Sequence, residues 1–130
     1  MSTIFTKIIK GEISSYKIAE NDRFYAFLDI NPIVYGHVLV VPKREVDYIF
    51  DLTDEHFVEF FKYSKKIAIA MKKAIKCKRI GISVIGLEVP HAHIHLIPLH
   101  TVSDINFDVK RLSFSDIEMN DIVKKISFFL

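Results

Sequence analysis

Four of the six histidines in this chain fall within ten residues: His91, His93, His95 and His100. The first three alternate with Ala92 and Ile94, and Leu96 follows them. Alternate residues of an extended strand share a face. One strand should therefore aim three imidazoles the same way, neighbours roughly 6.7 Å apart at about 3.3 Å per residue. The interleaved apolar side chains would turn toward a core. A purely structural role fits poorly, because polar groups in a core need partners.

Clustered imidazoles serve two chemistries. One is metal binding, in which zinc takes nitrogen ligands at about 2.0–2.1 Å in a tetrahedron. His91 and His95 would lie about 13 Å apart on a straight strand, so all three cannot share one ion. Two of them could, with a further ligand such as His37 or Glu88. The other chemistry is nucleophilic attack on phosphorus. A neutral imidazole is available near neutral pH because its ordinary pKa is about 6.5. It would form a P–N bond and split one hard displacement into two easier ones. One neighbouring imidazole could fix the nucleophile's tautomer. Another, protonated, could steady charge on the phosphoryl oxygens.

The elements that must hold this strand are legible around it. Thr3 to Lys10 reads as a short helix closed by Gly11, which tolerates the left-handed cap. Tyr16–Glu20 and Phe24–Ile30 read as strands joined at Asn21-Asp22, a good turn pair. His37–Val41 is apolar and β-branched, and reads as a buried strand ending at Pro42. Thr53 predicts an N-cap, with Asp54 and Glu55 in the first turn. Phe57, Phe60, Phe61, Ser64, Ile67, Ala68, Met71, Ala74 and Ile75 recur at helical spacing and predict one long helix with a solvated, Lys-rich outer face. Strands at Arg79–Ile85 and about Ala92–Leu99 flank a turn at Gly86. Ser115 and Glu118 form a capping-box pattern, and Ile117, Ile122, Val123 and Ile126 predict a last helix. The sum is an α+β fold, an antiparallel β-meander sheet with one long helix and a C-terminal helix.

Composition narrows the function classes. Half of the 130 residues are hydrophobic, with eleven Phe and five Tyr, which suits one packed domain over residues 1–130 and excludes intrinsic disorder. A formal charge of +2 is too weak to argue for a nucleic-acid partner. Cys77 is the sole cysteine, so it can form neither an internal disulfide nor a cysteine-based zinc site. No segment reads as a signal peptide or a bilayer span, so a cytoplasmic location without a membrane partner is expected.

Two ordered blocks carry a resemblance. The run His91-Ala92-His93-Ile94-His95-Leu96-Ile97-Pro98 resembles the H-x-H-x-H signature of the histidine triad (HIT) superfamily. Ile4-Phe5-Thr6-Lys7-Ile8-Ile9 resembles the opening segment of that family. Ala26 to Pro32, followed by Gly36 to Lys43, resembles its "AF.DI.P…GH.LV.PK" block. The match covers about residues 3–99. The resemblance implies a HIT-like fold, a homodimer whose sheets join, and a site that hydrolyses or transfers nucleotidyl groups of a purine nucleotide or nucleotide conjugate without a cofactor. It makes His93 the nucleophile, His95 a phosphate contact, His91 a hydrogen-bonding support and His37 a fourth, more distant histidine. Asp29 would accept the ribose hydroxyls. Phe5, Ile13, Phe27, Leu28 and Ile30 would line an apolar slot for the base.

The chain also departs from that pattern. Many bacterial relatives open with a "C.FC" pattern that helps bind structural zinc. Here Thr6 stands where the second cysteine falls, so no such metal is expected. The loop Val84 to Pro90 is short. Leu87 stands where Gln is usual, and Glu88 where Ser or Thr is usual. A polar contact is lost and a carboxylate gained, and Glu88 becomes a candidate proton donor to the leaving group or orienter of a protonated histidine. Residues 101–130 match no pattern of the family. The expected reaction is attack by His93 on the α-phosphorus of a nucleoside phosphoramidate, followed by hydrolysis. Dinucleoside polyphosphate hydrolysis and nucleotide binding with little turnover are the alternatives, and a metal-dependent site is a further one.

Overall fold

The computed structural model describes residues 2–130. Its centre is a five-stranded, wholly antiparallel sheet: β1 (Lys17–Glu20), β2 (Phe24–Leu28), β3 (Val38–Pro42), β4 (Arg79–Ser83) and β5 (Ile94–Leu99). The helices are α1 (Ile4–Ile9), α2 (Asp54–Ala74) and α3 (Asp116–Ser127). This is the α+β architecture expected. The strand order is β1-β2-β3-β5-β4, so the far end departs from a plain meander. The 21 residues of α2 rise about 31 Å and carry the chain past β3 to the edge. The return strand β5 then fills the gap beside β3.

Local chemistry explains the element ends. Asn21 Oδ1 accepts the backbone N–H of Arg23 at 2.9 Å and of Phe24 at 2.8 Å, which turns β1 into β2. Thr53 caps α2 by accepting the His56 N–H at 3.2 Å. Both halves of the Ser115–Glu118 capping box form at α3. Gly36 sits at φ +83°, and a Cβ there would collide with the Ile75 side chain. Glycine at this position lets the chain turn tightly into His37 and β3.

The sheet divides its residues between two apolar layers. Phe24, Ala26, Leu28, Val38, Val40, Ile94 and Leu96 pack against α2 and α3. Tyr25, Phe27, Leu39 and Val41 pack on the other face with Phe5 and Ile8 of α1. Both faces of β2 and β3 are thus buried, which is why they read as unbroken apolar runs. Phe60, Ile67 and Met71 of α2 are fully buried, each stabilising the fold by about 1.5–3 kcal/mol relative to exposure. Ser64 joins them because its hydroxyl donates to the Phe60 carbonyl at 2.9 Å. Tyr63 and Ala70 are buried beyond the predicted face. Helix α3 packs into this layer through Met119, Ile122 and Ile126, whereas Ile117, predicted on its apolar face, is exposed. Among the described residues no helix is long and apolar enough to cross a membrane.

Candidate active site

Three backbone features bring the histidines together. Leu39 of β3 lies opposite His95 of β5, and Ser83 of β4 opposes His95 from the other side. His37 immediately precedes β3, so its ring meets that of His95 across the strand pair. The predicted strand start at Ala92 is corrected to Ile94, because Ala92 donates its N–H to the Val46 carbonyl at 2.7 Å instead of joining the sheet. His91 and His93 therefore sit on an irregular approach to β5.

That approach sets the tautomer of His93. Its Nδ1 lies 2.8 Å from the His91 carbonyl oxygen. A carbonyl only accepts, so Nδ1 carries the proton and Nε2 keeps its lone pair. Among the described residues Nε2 has no hydrogen-bond partner, and it is not sealed from solvent. His93 and His95 both line a cavity of about 640 Å³, and their ring centroids are 4.9 Å apart.

His95 works through His37. The Ile33 N–H donates to His37 Nδ1 at 3.2 Å, so His37 carries its proton on Nε2. That Nε2–H donates to His95 Nδ1 at 2.9 Å, which leaves the His95 proton on Nε2. Burial pushes the pKa of each ring down to about 3. His95 thus offers a neutral N–H donor, which corrects the expectation of a protonated neighbour. The 3.8 Å approach of Asp29 Oδ2 to His37 Nδ1 is for the same reason no ion pair. Asp29 Oδ1 accepts the Asn31 N–H at 2.9 Å, and burial raises its carboxyl.

His91 does not join the cavity lining, which corrects the picture of three rings side by side. It lies beneath α1, held by Thr3 Oγ1 at 2.7 Å and the Pro42 carbonyl at 2.8 Å. Burial holds it below the usual histidine range. The pair His91 and His93 that could have shared an ion is therefore pulled apart. Ligand atoms of Asp29, His37 and His95 converge within 4.8 Å, where the two rings hydrogen-bond each other directly at 2.9 Å.

The remaining candidates also reach the cavity. Phe5, Ile13, Phe27, Leu28, Asp29 and Ile30 line it, and Glu88 stands on its exposed rim. Leu28 belongs at the same time to the α2-side core. The Phe5 ring meets that of His93 edge-on at 5.0 Å. Sequence reasoning missed the strap that crosses the site after β5. Phe107 packs on the His95 ring at 4.8 Å, and Arg111 donates to the Asn31 carbonyl at 3.0 Å. Asp108 lines the cavity beside them. Nothing in residues 101–114 marks them as site residues, because their placement depends on the Leu112 N–H reaching the Pro32 carbonyl. A hollow of about 670 Å³ between the β1–β2 turn and α2 contains none of the histidine cluster.

The sequence profile of the HIT domain matches residues 10–102. An uncharacterized HIT-like protein of Borreliella burgdorferi is 40% identical over 102 residues, covering 73% of each chain. The adenosine 5'-monophosphoramidase HNT1 of Saccharomyces cerevisiae is 41% identical over 96 residues, covering 73% of this chain and 61% of the yeast protein. The crystal structure of a Hit-like protein from Bartonella henselae aligns with a TM-score of 0.84 at 30% identity, covering 99% of this chain and 97% of that one.

Proposed function

This chain is a member of the HIT domain family, and from that premise we propose that it hydrolyses or transfers nucleotidyl groups, with His93 attacking the α-phosphorus of nucleoside phosphoramidates or related conjugates. The observation that carries this reading is the bond from His93 Nδ1–H to the His91 carbonyl, which frees the Nε2 lone pair. That lone pair forms the new P–N bond as the bond to the leaving amine breaks. Glu88, at the rim of the cavity, gives the amine its proton. Water then attacks the nucleotidyl-histidine, the bond to His93 breaks, and Glu88 takes the proton released by the water. His95 donates its neutral N–H to the phosphoryl oxygens. Asp29 accepts the ribose hydroxyls, and the apolar residues around Phe5 and Phe27 hold the purine.

The lining charge supports phosphoramidates over dinucleoside polyphosphates. Two carboxylates, Asp29 and Asp108, face one cation, Arg111. Such a lining repels a polyphosphate chain more than a single phosphoryl group bonded to an amine. The name of the yeast relative points the same way. A homodimer joined along the sheet edge is part of this reading, supported by the open β4 edge with its half-exposed Ile82.

Turnover of adenosine 5'-phosphoramidate by the wild type, His93→Ala and Glu88→Gln tests the reading. The His93→Ala variant should lose several orders of magnitude in kcat, and Glu88→Gln roughly 10²–10⁴-fold. Wild-type turnover by His93→Ala would remove the mechanism.

A further inference from the structure

Glu45 follows β3 and takes no part in lining the cavity. Its carboxylate nevertheless reaches across to α1. Oε1 accepts the Thr3 backbone N–H at 2.8 Å and the Thr6 hydroxyl at 2.6 Å. Thr3 Oγ1 in turn lies 2.7 Å from His91 Nδ1. These contacts join residues separated by 39 to 88 positions along the chain.

Every proton in this cluster can be placed. The Pro42 carbonyl, 2.8 Å from His91 Nε2, only accepts, so His91 carries its proton there. His91 Nδ1 is therefore an acceptor, and the single hydroxyl proton of Thr3 must point at it. Thr3 Oγ1 still accepts the Thr6 N–H at 3.1 Å. The Thr6 hydroxyl could face Thr3 Oγ1 at 3.3 Å or His91 Nδ1 at 3.5 Å, but the short contact to a charged oxygen takes its proton. The two hydrogen bonds hold the Glu45 carboxyl below its usual range. The donors run outward from Thr6, its N–H to Thr3 Oγ1, whose hydroxyl donates to His91, and its own hydroxyl to the Glu45 anion.

We propose that Glu45, Thr3 and Thr6 form a clamp that positions the nucleophile, acting through the ring and the carbonyl of His91. That ring is pinned between the end of β3 and the start of α1. Its own carbonyl fixes the proton on His93 Nδ1. The clamp also docks Phe5, whose ring lies edge-on to His91 at 5.7 Å and to His93 at 5.0 Å. Loosening the clamp lets the 91 carbonyl drift. His93 then populates the tautomer with its proton on Nε2, where no lone pair faces phosphorus. These are positioning residues, since none of the three lines the cavity. The kinetic consequence rests on the proposed function; the tautomer does not.

The experiment compares Thr3→Val, Thr3→Ser and Glu45→Ala with the wild type. Nitrogen-15 NMR of the histidine rings reads the His93 tautomer, and kcat and KM are measured on adenosine 5'-phosphoramidate. In the wild type His93 should be protonated on Nδ1. Thr3→Val and Glu45→Ala should shift it toward a mixture of tautomers. Their kcat should fall about 10- to 100-fold with KM within about twofold. Thr3→Ser keeps the hydroxyl and should restore both readouts. Glu45 is exposed, so its variant reports even if the Thr3→Val chain does not fold. An unmoved His93 tautomer in Glu45→Ala overturns the clamp, and so does a raised KM with unchanged kcat. A shifted tautomer in a protein whose wild type turns over no phosphoramidate supports the clamp and rejects the enzymatic reading.

Discussion

His37 and His95 act as one unit because a single proton path runs through both rings. The Ile33 amide feeds His37, His37 feeds His95, and the last N–H is left for the cavity. Burial holds both rings neutral down to a pH of about 3. This has a sign that can be checked. Below about 6.5 the unfolded chain takes up protons on these histidines while the folded chain does not. Their contribution is full above that value and is lost as the pH falls toward about 3. His56 and His91, also depressed by burial, act in the same direction. Asp29 is raised by burial and acts oppositely, but near the carboxylate range. We expect the urea midpoint to fall between pH 6.5 and 5.5, with the slope of stability approaching about 1.4 kcal/mol per pH unit for each ring. A midpoint that holds or rises over that interval contradicts the neutral pair. At this scale the sequence pointed to His93 and His95 as neighbouring rings, since alternation is visible in any strand. It could not show that His91 turns beneath α1, because Thr3 and Pro42 make that choice from far along the chain. Glu45 and Arg111 were illegible for the same reason.

The elements were more legible than the contacts between them. Caps at Thr53 and Ser115 and the turn at Asn21 are short-range chemistry, and each forms where the residue types place it. Strands β2 and β3 stand out because both of their faces are buried. The strand order was not legible, since neither β4 nor β5 encodes which of them lies beside β3. That order leaves β4 with an unpaired row of backbone groups and Ile82 half exposed. An open apolar edge is a site for pairing with a second chain. We expect the wild type to sediment as a species of two chains at micromolar concentration. The variant Ile82→Lys should shift to one chain, because a charge on the edge opposes pairing. A wild type that sediments as a single chain contradicts the edge-joined dimer.

Across the whole molecule the work is divided between two sides of one sheet. The α2 and α3 side is a thick apolar layer that supplies most of the burial. The other side is thin, built from α1 and loops, and it holds the cavity. Two segments far apart in the sequence converge there, α1 through Phe5 and the strap through Phe107 and Arg111. The first was visible in the sequence as part of an ordered block; the second lay in a stretch without a pattern. The arrangement exists, on our reading, to leave one imidazole nitrogen open to phosphorus. Rapid quenching of the enzyme during turnover of adenosine 5'-phosphoramidate, followed by peptide mass mapping in base, reads that directly. We expect one acid-labile nucleotidyl adduct, carried by His93. Turnover with no adduct, or an adduct on any other residue, contradicts it.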